Sequence, residues 1–434
     1  MNPIVHVAAE LGQGGTERSI ELLATAASVE GGPLGQRVIA LERDGPTGTR
    51  LREAGVKVEV FAGDIAAAAE SIKRHGPAVA LLNRAGKPEA RWNELIRRLA
   101  GSVVLPLEVN HFGWLDSGAI AEGLKGSFCV SGTALAKYLR QMFGHWPTGE
   151  ELSKAPLALA AGNNPVASSE QPTQSKAELR QALGLPADAF IALRVGRPDP
   201  RKWSDLLIVH GARLLREFPR LHFVFLSAPA NRESVIRHAM GARVSLAPFA
   251  TDRVIVARYM AAADVMIHYA RYGESFGYAI AEAALAGLPV IAQATPWGDN
   301  AQAELIRSGE TGFIVENYES LRAAVSRLMA DGDLARRIAS AAARDIAERF
   351  GVSATWTLLR AFIDHAAGGG RGLIAAPQEI AADQRARLAT GIAGYGKASP
   401  LCRRLAAERP LYFRPWFWRL TAEDGAAIVK RRLG

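Results

Sequence analysis

Short runs of β-branched and other apolar residues alternate with helix-patterned stretches along most of this chain, and that alternation limits its possible folds more than any other feature. A repeating strand–helix–strand order buries both faces of a sheet under helices, which argues for parallel sheets in an α/β protein. In the first half, strands are expected at 4–8, 37–41, 56–61, 79–82, 103–108 and 128–131, with helices such as 16–28 and 90–99 between them. The polar stretch 162–174, with Asn163, Asn164, Pro165, Ser168, Ser169 and Pro172, reads as a linker. Ser175 and Glu178 then have capping-box spacing, and a second series opens. Its expected strands are 190–195, 223–226, 244–246, 265–268 and 290–292, and helices from about 320 to 365 close it. Gly368, Gly369 and Gly370 mark a hinge into a tail. The expected organisation is two doubly wound domains, 1–165 and 166–367, followed by an extension, 368–434.

Open α/β sheets bind ligands at the carboxyl ends of their strands. The run Glu274-Ser275-Phe276-Gly277-Tyr278-Ala279-Ile280-Ala281-Glu282 follows an expected strand and places two carboxylates eight residues apart. A helix starting near Phe276 would set Glu274 before its N-terminus and Glu282 two turns in, about 12 Å away at the usual helical rise. That spacing suits a ligand with hydroxyls at both ends and phosphates between them. The phosphates would meet the free N–H groups near Ser275, Phe276 and Gly277. A nucleotide sugar has that form. On spacing alone, a solvated capping Glu274 and a surface Glu282 fit equally well.

The surrounding stretch, from Tyr259-Met260-Ala261-Ala262-Ala263-Asp264-Val265 to Ser308-Gly309-Glu310-Thr311-Gly312-Phe313-Ile314-Val315, resembles the Glu-x7-Glu region of the retaining glycosyltransferases of family 4. Those enzymes have the GT-B fold, two Rossmann-like domains facing across a cleft. The resemblance implies that Glu274 contacts the donor sugar and Glu282 the ribose. Arg197 and Lys202 follow the first strand of the second domain, where cations suit a diphosphate, and they are similar to the family's Gly-Arg…Lys pattern. Trp203 stands where the family often has glycine, and its bulk either narrows the pocket or packs against the helix. Gly12-Gln13-Gly14-Gly15-Thr16-Glu17 is similar to the family's N-terminal glycine loop, which implies that Gly14 and Gly15 lie against diphosphate and acceptor. Read without the family, the same loop is a tight turn or an imperfect dinucleotide fingerprint, with Glu17 at the third glycine position. His111 lies near the place of a family histidine or aromatic residue that packs on the donor sugar; read without the family, a hydrogen-bonding loop histidine with no catalytic duty fits equally well. The implied catalytic set is Glu274, His111, Arg197 and Lys202; the implied donor-binding set is Gly14, Gly15, Arg197, Lys202, Ser275, Phe276, Gly277 and Glu282.

Other positions are less committed. His268 ends a strand and either lines the pocket or belongs to the core. Asp299 is placed to cap a helix beginning at Asn300; the amides of Asn300 and Gln302 have the option of facing ligand, and Glu304 matches a recurrent family glutamate. Asp331-Gly332-Asp333 has the Asp-x-Asp form that binds metal in GT-A transferases, but here it reads as a turn between helices. No spacing of His, Cys and carboxylates reads as a metal site, so no metal or cofactor is expected beside the nucleotide-sugar co-substrate.

The expected activity is therefore metal-independent sugar transfer, with retention, from a nucleotide-diphosphate sugar to an unknown glycan, lipid or small-molecule acceptor. Two competing readings are an NAD-dependent oxidoreductase using the Gly12–Glu17 loop and a non-catalytic nucleotide-sugar-binding module. The chain has only two cysteines, Cys129 and Cys402, no apolar run long enough to span a bilayer and no signal-peptide pattern at its start, which together fit the cytoplasm. Charge is concentrated in the tail: residues 366–434 hold 12 basic and 5 acidic residues, so +7 of the net +9. With Tyr412, Phe413, Trp416, Phe417 and Trp418 among its arginines, the tail suits peripheral contact with the inner membrane surface or packing on the body, and nucleic acid is a weaker fit.

Overall fold

A computed structural model describes residues 3–26, 36–74, 76–199, 202–250, 252–295, 298–375 and 377–396. Cys402 and the aromatic run 412–418 lie outside the described residues. The chain forms two compact units, the first built from Met1–Ala167 together with Glu348–Ala393, the second containing Ser168–Ala347.

The first seven strands are β1 (Ile4–Glu10), β2 (Arg37–Arg43), β3 (Lys57–Val60), β4 (Ala78–Arg84), β5 (Val104–Asn110), β6 (Gly126–Cys129) and β7 (Ala158–Ala161). The second unit contributes β8 (Phe190–Val195), β9 (Leu221–Leu226), β10 (Val244–Ala247), β11 (Val265–His268), β12 (Val290–Gln293) and β13 (Phe313–Val315). A last strand, β14 (Gly372–Leu373), belongs to the first unit. The two sheets run β14-β7-β6-β5-β4-β1-β2-β3 and β10-β9-β8-β11-β12-β13. Every strand pair in both is parallel. Central strands β4 and β9 are buried at every residue, as a sheet covered on both faces requires. The α/β expectation holds, and each unit is a doubly wound sheet.

Three elements differ from the sequence expectation. Ala158-Leu159-Ala160-Ala161 has no β-branched residue, yet it is strand β7, wholly buried between β6 and β14; packing overrides its weak propensity. Strand β6 ends at Cys129, two residues before the expected end at 131. Ser131 is needed as a helix cap, its hydroxyl accepting from Ala134 N at 3.0 Å.

The third difference concerns the domain boundaries. Glu348–Ala393 joins the first unit, although 348–367 was expected in the second domain and the rest in the extension, and the expected hinge at Gly368–Gly370 leads into edge strand β14. The physical reason is burial. The helix Val352–Ala367 sets Phe362 against Phe128 at 5.6 Å between ring centroids, and Phe362 fills the space a side chain at Gly126 would need. Farther on, Gln384 is fully buried and bonds both backbone groups of Ala161, accepting from its N at 2.5 Å and donating to its O at 2.9 Å.

Replacing Gln384 with alanine orphans two buried backbone groups. Stability of the first unit is expected to fall by about 1–3 kcal/mol, a measurable drop in the thermal transition. An unchanged melting curve would mean that this helix contributes nothing to the unit.

Candidate functional site

The second unit gathers charge at the carboxyl ends of β8 and β11. Lys202 lies in the loop after β8, and Glu274 in the loop after β11. Lys202 Nζ donates to Glu274 Oε2 at 3.1 Å, while His268 Nε2, on the last residue of β11, lies 3.1 Å from Glu274 Oε1. Each carboxylate oxygen thus has its own partner, and the Glu274 side chain is 13% exposed. Burial pushes this carboxyl's pKa up, but the Lys202 charge and the His268 hydrogen bond together outweigh it and hold it well below the usual carboxylate range. Burial lowers the His268 pKa, with Glu274 opposing and Arg194 and Lys202 reinforcing. Neutral His268 then donates from Nε2 to an ionised Glu274.

The backbone around Glu274 is fixed by buried amides. Gln302 accepts from Glu274 N at 3.3 Å and donates to Gln293 O at 2.8 Å and Thr295 Oγ1 at 2.6 Å, and Ala301 N donates to Glu274 O at 2.9 Å. Gly273 has φ +70°, and a Cβ there would meet Asp299 O at 1.5 Å, so only glycine lets these two loops close on one another.

The sequence expectations fare differently around this centre. The helix begins at Tyr278 rather than near Phe276, because Gly277 takes φ +109° and breaks the helical path; Glu282 is therefore one turn into the helix Tyr278–Leu285 rather than two. Ser275 and Gly277 belong to the connecting loop, and the Phe276 side chain is buried, ring to ring with Tyr278 at 5.2 Å. Arg197 is exposed in the loop after β8. Trp203 neither opens nor narrows a pocket mouth: it is core, edge-on to Phe225 at 5.4 Å, and it forms a β-bridge with Ala270 that ties the Lys202 loop to the Glu274 loop. Asp299 is not a cap, since the next helix is Gln302–Leu305; its carbonyl accepts from Thr295 Oγ1 at 2.6 Å instead. The Gln302 amide is committed to the Glu274 loop, and Asn300 accepts from Thr295 N at 2.9 Å. Asp331 accepts from Leu334 N at 2.8 Å at the turn into the helix Gly332–Phe350, as a turn reading requires. Among the described residues no three His, Cys, Asp or Glu side chains are grouped to hold a metal ion.

One charged residue of this site escaped the sequence reading. Arg194 on β8 is 3% exposed, with its guanidinium 5.1 Å from the Trp203 ring and donating to Val195 O and, at 3.4 Å, to Tyr269 O. Burial lowers its pKa to about 10, with Glu274 opposing, so it stays charged at neutral pH. The available signal was an arginine inside the otherwise apolar strand Phe-Ile-Ala-Leu-Arg-Val.

The remaining expected residues lie in the first unit. Gly15 opens the helix Gly15–Ala26, and Gly14 O accepts from Arg18 N at 3.0 Å. His111 directly follows β5, is 3% exposed and lies 3.5 Å from Asn83 Oδ1 through Nε2. Burial lowers its pKa to about 3, so the ring is neutral at neutral pH.

With the fold and site in view, the class is defined: two parallel-sheet α/β units of the GT-B fold, the second matching over residues 175–345 the family described as "Glycosyl transferases group 1". Among curated proteins, the chain is 33% identical over 198 residues to a D-inositol 3-phosphate glycosyltransferase of Streptomyces bingchenggensis, covering 42% of each. It thus spans less than half the length of the curated relatives it matches. Among solved structures, a glycosyltransferase from Rickettsia africae ESF-5 superposes with a TM-score of 0.66 at 15% identity, covering 84% of this chain and 98% of that one. Anabaena Alr3699/HepE in complex with UDP-glucose superposes with a TM-score of 0.64 at 18% identity, covering 83% of this chain and 99% of that one.

Neutral burial of His111 has a pH consequence. Its folded pKa lies below the value of about 6.5 for an unfolded histidine, so between the two the unfolded chain takes up a proton that the folded chain refuses. Stability is therefore full above that range and declines as pH falls toward 3. His111→Leu should flatten the fall in melting temperature between pH 6.5 and 4 relative to wild type. His6, lowered to about 4 by burial, retains part of the slope. Identical slopes in variant and wild type would show that His111 is already protonated in the folded state.

Proposed function

We propose that this protein is a retaining, metal-independent glycosyltransferase that moves a sugar from a nucleoside-diphosphate sugar to an acceptor. The carrying observation is the ionised Glu274 held between Lys202 and His268 at the strand ends of the second unit. The family match over 175–345, the glycosyltransferase names of the curated relatives and the UDP-glucose complex of a protein with this fold support the reading.

In the reaction, the bond from sugar C1 to the diphosphate oxygen breaks and its electron pair leaves on that oxygen. The acceptor hydroxyl oxygen bonds C1 with net retention, and its proton is taken up by the released diphosphate. Charge develops on the leaving group, so preorganised cations stabilise the transition state most. Lys202, 39% exposed at the side chain, and the exposed Arg197 fill that role, assisted by N–H groups at the start of the helix Tyr278–Leu285. Glu274 orients the donor sugar, His111 packs on it, Glu282 takes the ribose hydroxyls, and Gly14 and Gly15 admit the diphosphate closely. His268 and Gln302 position Glu274 without touching donor. Neither the Glu274 centre nor the 175–345 match is accounted for by an NAD-dependent oxidoreductase, and turnover separates an enzyme from a binding module. We further place the protein in the cytoplasm; among the described residues no helix is long and apolar enough to cross a membrane.

A thermal-shift panel of nucleoside diphosphates and their sugars tests the reading directly: one nucleotide family should stabilise the protein, and nicotinamide dinucleotides should not. Glu282→Ala should then weaken that donor by about 1–3 kcal/mol through lost ribose hydrogen bonds; a folded variant with wild-type affinity rules out the ribose role. Arg197→Ala and Lys202→Ala should each lower kcat by about a hundredfold or more. Turnover should persist in EDTA, and loss of activity restored by magnesium or manganese would overturn metal independence.

A further inference from the structure

Strand β8 buries an arginine that no carboxylate answers. Arg194 is almost wholly buried, and among the described residues it forms no ion pair. Glu274 acts on it from beyond ion-pair distance and is already shared between Lys202 and His268. Lys202 and Glu274 cancel, His268 is neutral, and the charge of Arg194 is left over. The buried part of this centre therefore carries one positive charge in excess. A buried charge without a close counter-charge is unfavourable, and an apolar residue here would simply continue the run Phe-Ile-Ala-Leu before it. A purely structural strand gains nothing from the arginine.

Its guanidinium lies where two loops begin. It donates to Val195 O, at the head of the loop that carries Arg197 and Lys202. At 3.4 Å it donates to Tyr269 O, at the head of the loop that carries Glu274. The Trp203 ring is 5.1 Å away, and Trp203 is bridged to Ala270 of the second loop. Gly196 leaves room for the group, since a Cβ there would stand 2.0 Å from Arg194 Nη1. Contacts from 195–203 and from 269–270 thus converge on one buried cation, whose planar fork serves both carbonyls. We propose that Arg194 is a positioning residue of the donor site, tying the Lys202 loop to the Glu274 loop from beneath and holding a surplus positive charge under both. The proposal rests on the glycosyltransferase reading for the identity of the anion that this charge serves, the diphosphate, and deepens that reading with a residue that acts without touching donor. His268 reports the charge. Glu274 in the loop after β11 favours its protonation, while Arg194 on β8 and Lys202 in the loop after β8 oppose it. Without Arg194 only Lys202 opposes, so the ring takes up its proton at higher pH.

The test compares the full-length wild type with Arg194→Met and Arg194→Lys in two measurements. One is the NMR titration of the His268 imidazole, which needs no ligand. The other is calorimetric titration at low ionic strength with inorganic pyrophosphate, standing in for the diphosphate of a donor. His268 should protonate at higher pH in the Met variant than in wild type, and the Lys variant should follow wild type. Pyrophosphate should bind the Met variant about tenfold more weakly, and the Lys variant within about threefold of wild type. A side chain that only fills space gives the Met variant wild-type values. One needed only for its hydrogen-bonding shape leaves Lys no better than Met. Either result overturns the proposal, as does a wild type that binds no pyrophosphate. If Arg194→Met does not fold, Arg194→Gln, polar but uncharged, takes its place with the same expected values. A wild type that binds pyrophosphate but responds to no nucleotide or nucleotide sugar sinks the glycosyltransferase reading and leaves the role of Arg194 standing.

Discussion

A buried carboxylate is tolerable only with its charge answered, and Glu274 meets that condition through two contacts at 3.1 Å. A unit pair at this distance attracts by on the order of 5 kcal/mol at an effective dielectric constant of 20. Lys202 is partly solvated, which screens its share. Much of the second unit's upper rim follows from this requirement. Lys202 must reach across from the β8 loop, so Trp203 is locked under it and bridged to Ala270. His268 must present a donor, so it ends β11 facing the loop. Gln302 and Gly273 bring in the loop after β12 to fix the Glu274 backbone. Arg194 lies under the same cluster, a permanent charge that helps keep His268 neutral.

Much of this was legible in the sequence, for identifiable reasons. Strands such as 190–195 and 265–268 carry apolar residues whose burial on both sheet faces needs no knowledge of their neighbours, and both appear where expected. Glu274 and Lys202 were visible as chemistry at strand ends. Their direct contact was not, because residues 72 positions apart meet only through the β8–β11 pairing. Roles set by a partner's position were equally hidden. Trp203 was open between narrowing a pocket and packing, and is core; Gln302 had the option of facing ligand and is a backbone clamp; Gly277 shortened a helix that its neighbours promised.

The first unit shows the same limit at larger scale. Ala158–Ala161 becomes a strand because β14 and Gln384 complete its surroundings, and those come from more than two hundred residues later in the chain. A local pattern cannot announce a partner so distant, and a glycine triplet before that partner looks like a hinge.

The interleaved order of the two units has a bearing on synthesis. When the ribosome has made residues 1–167, the first sheet has β7 as an open flank, with Ala161 lacking the Gln384 amide and Phe128 lacking the Phe362 ring. Unpaired strand flanks invite association with other chains. Segment Ser168–Ala347 of the second unit emerges before the closing segment of the first exists. The first unit is thus begun early and closed late: until Glu348–Ala393 leaves the exit tunnel its open flank is exposed to whatever nascent-chain protection the cell provides.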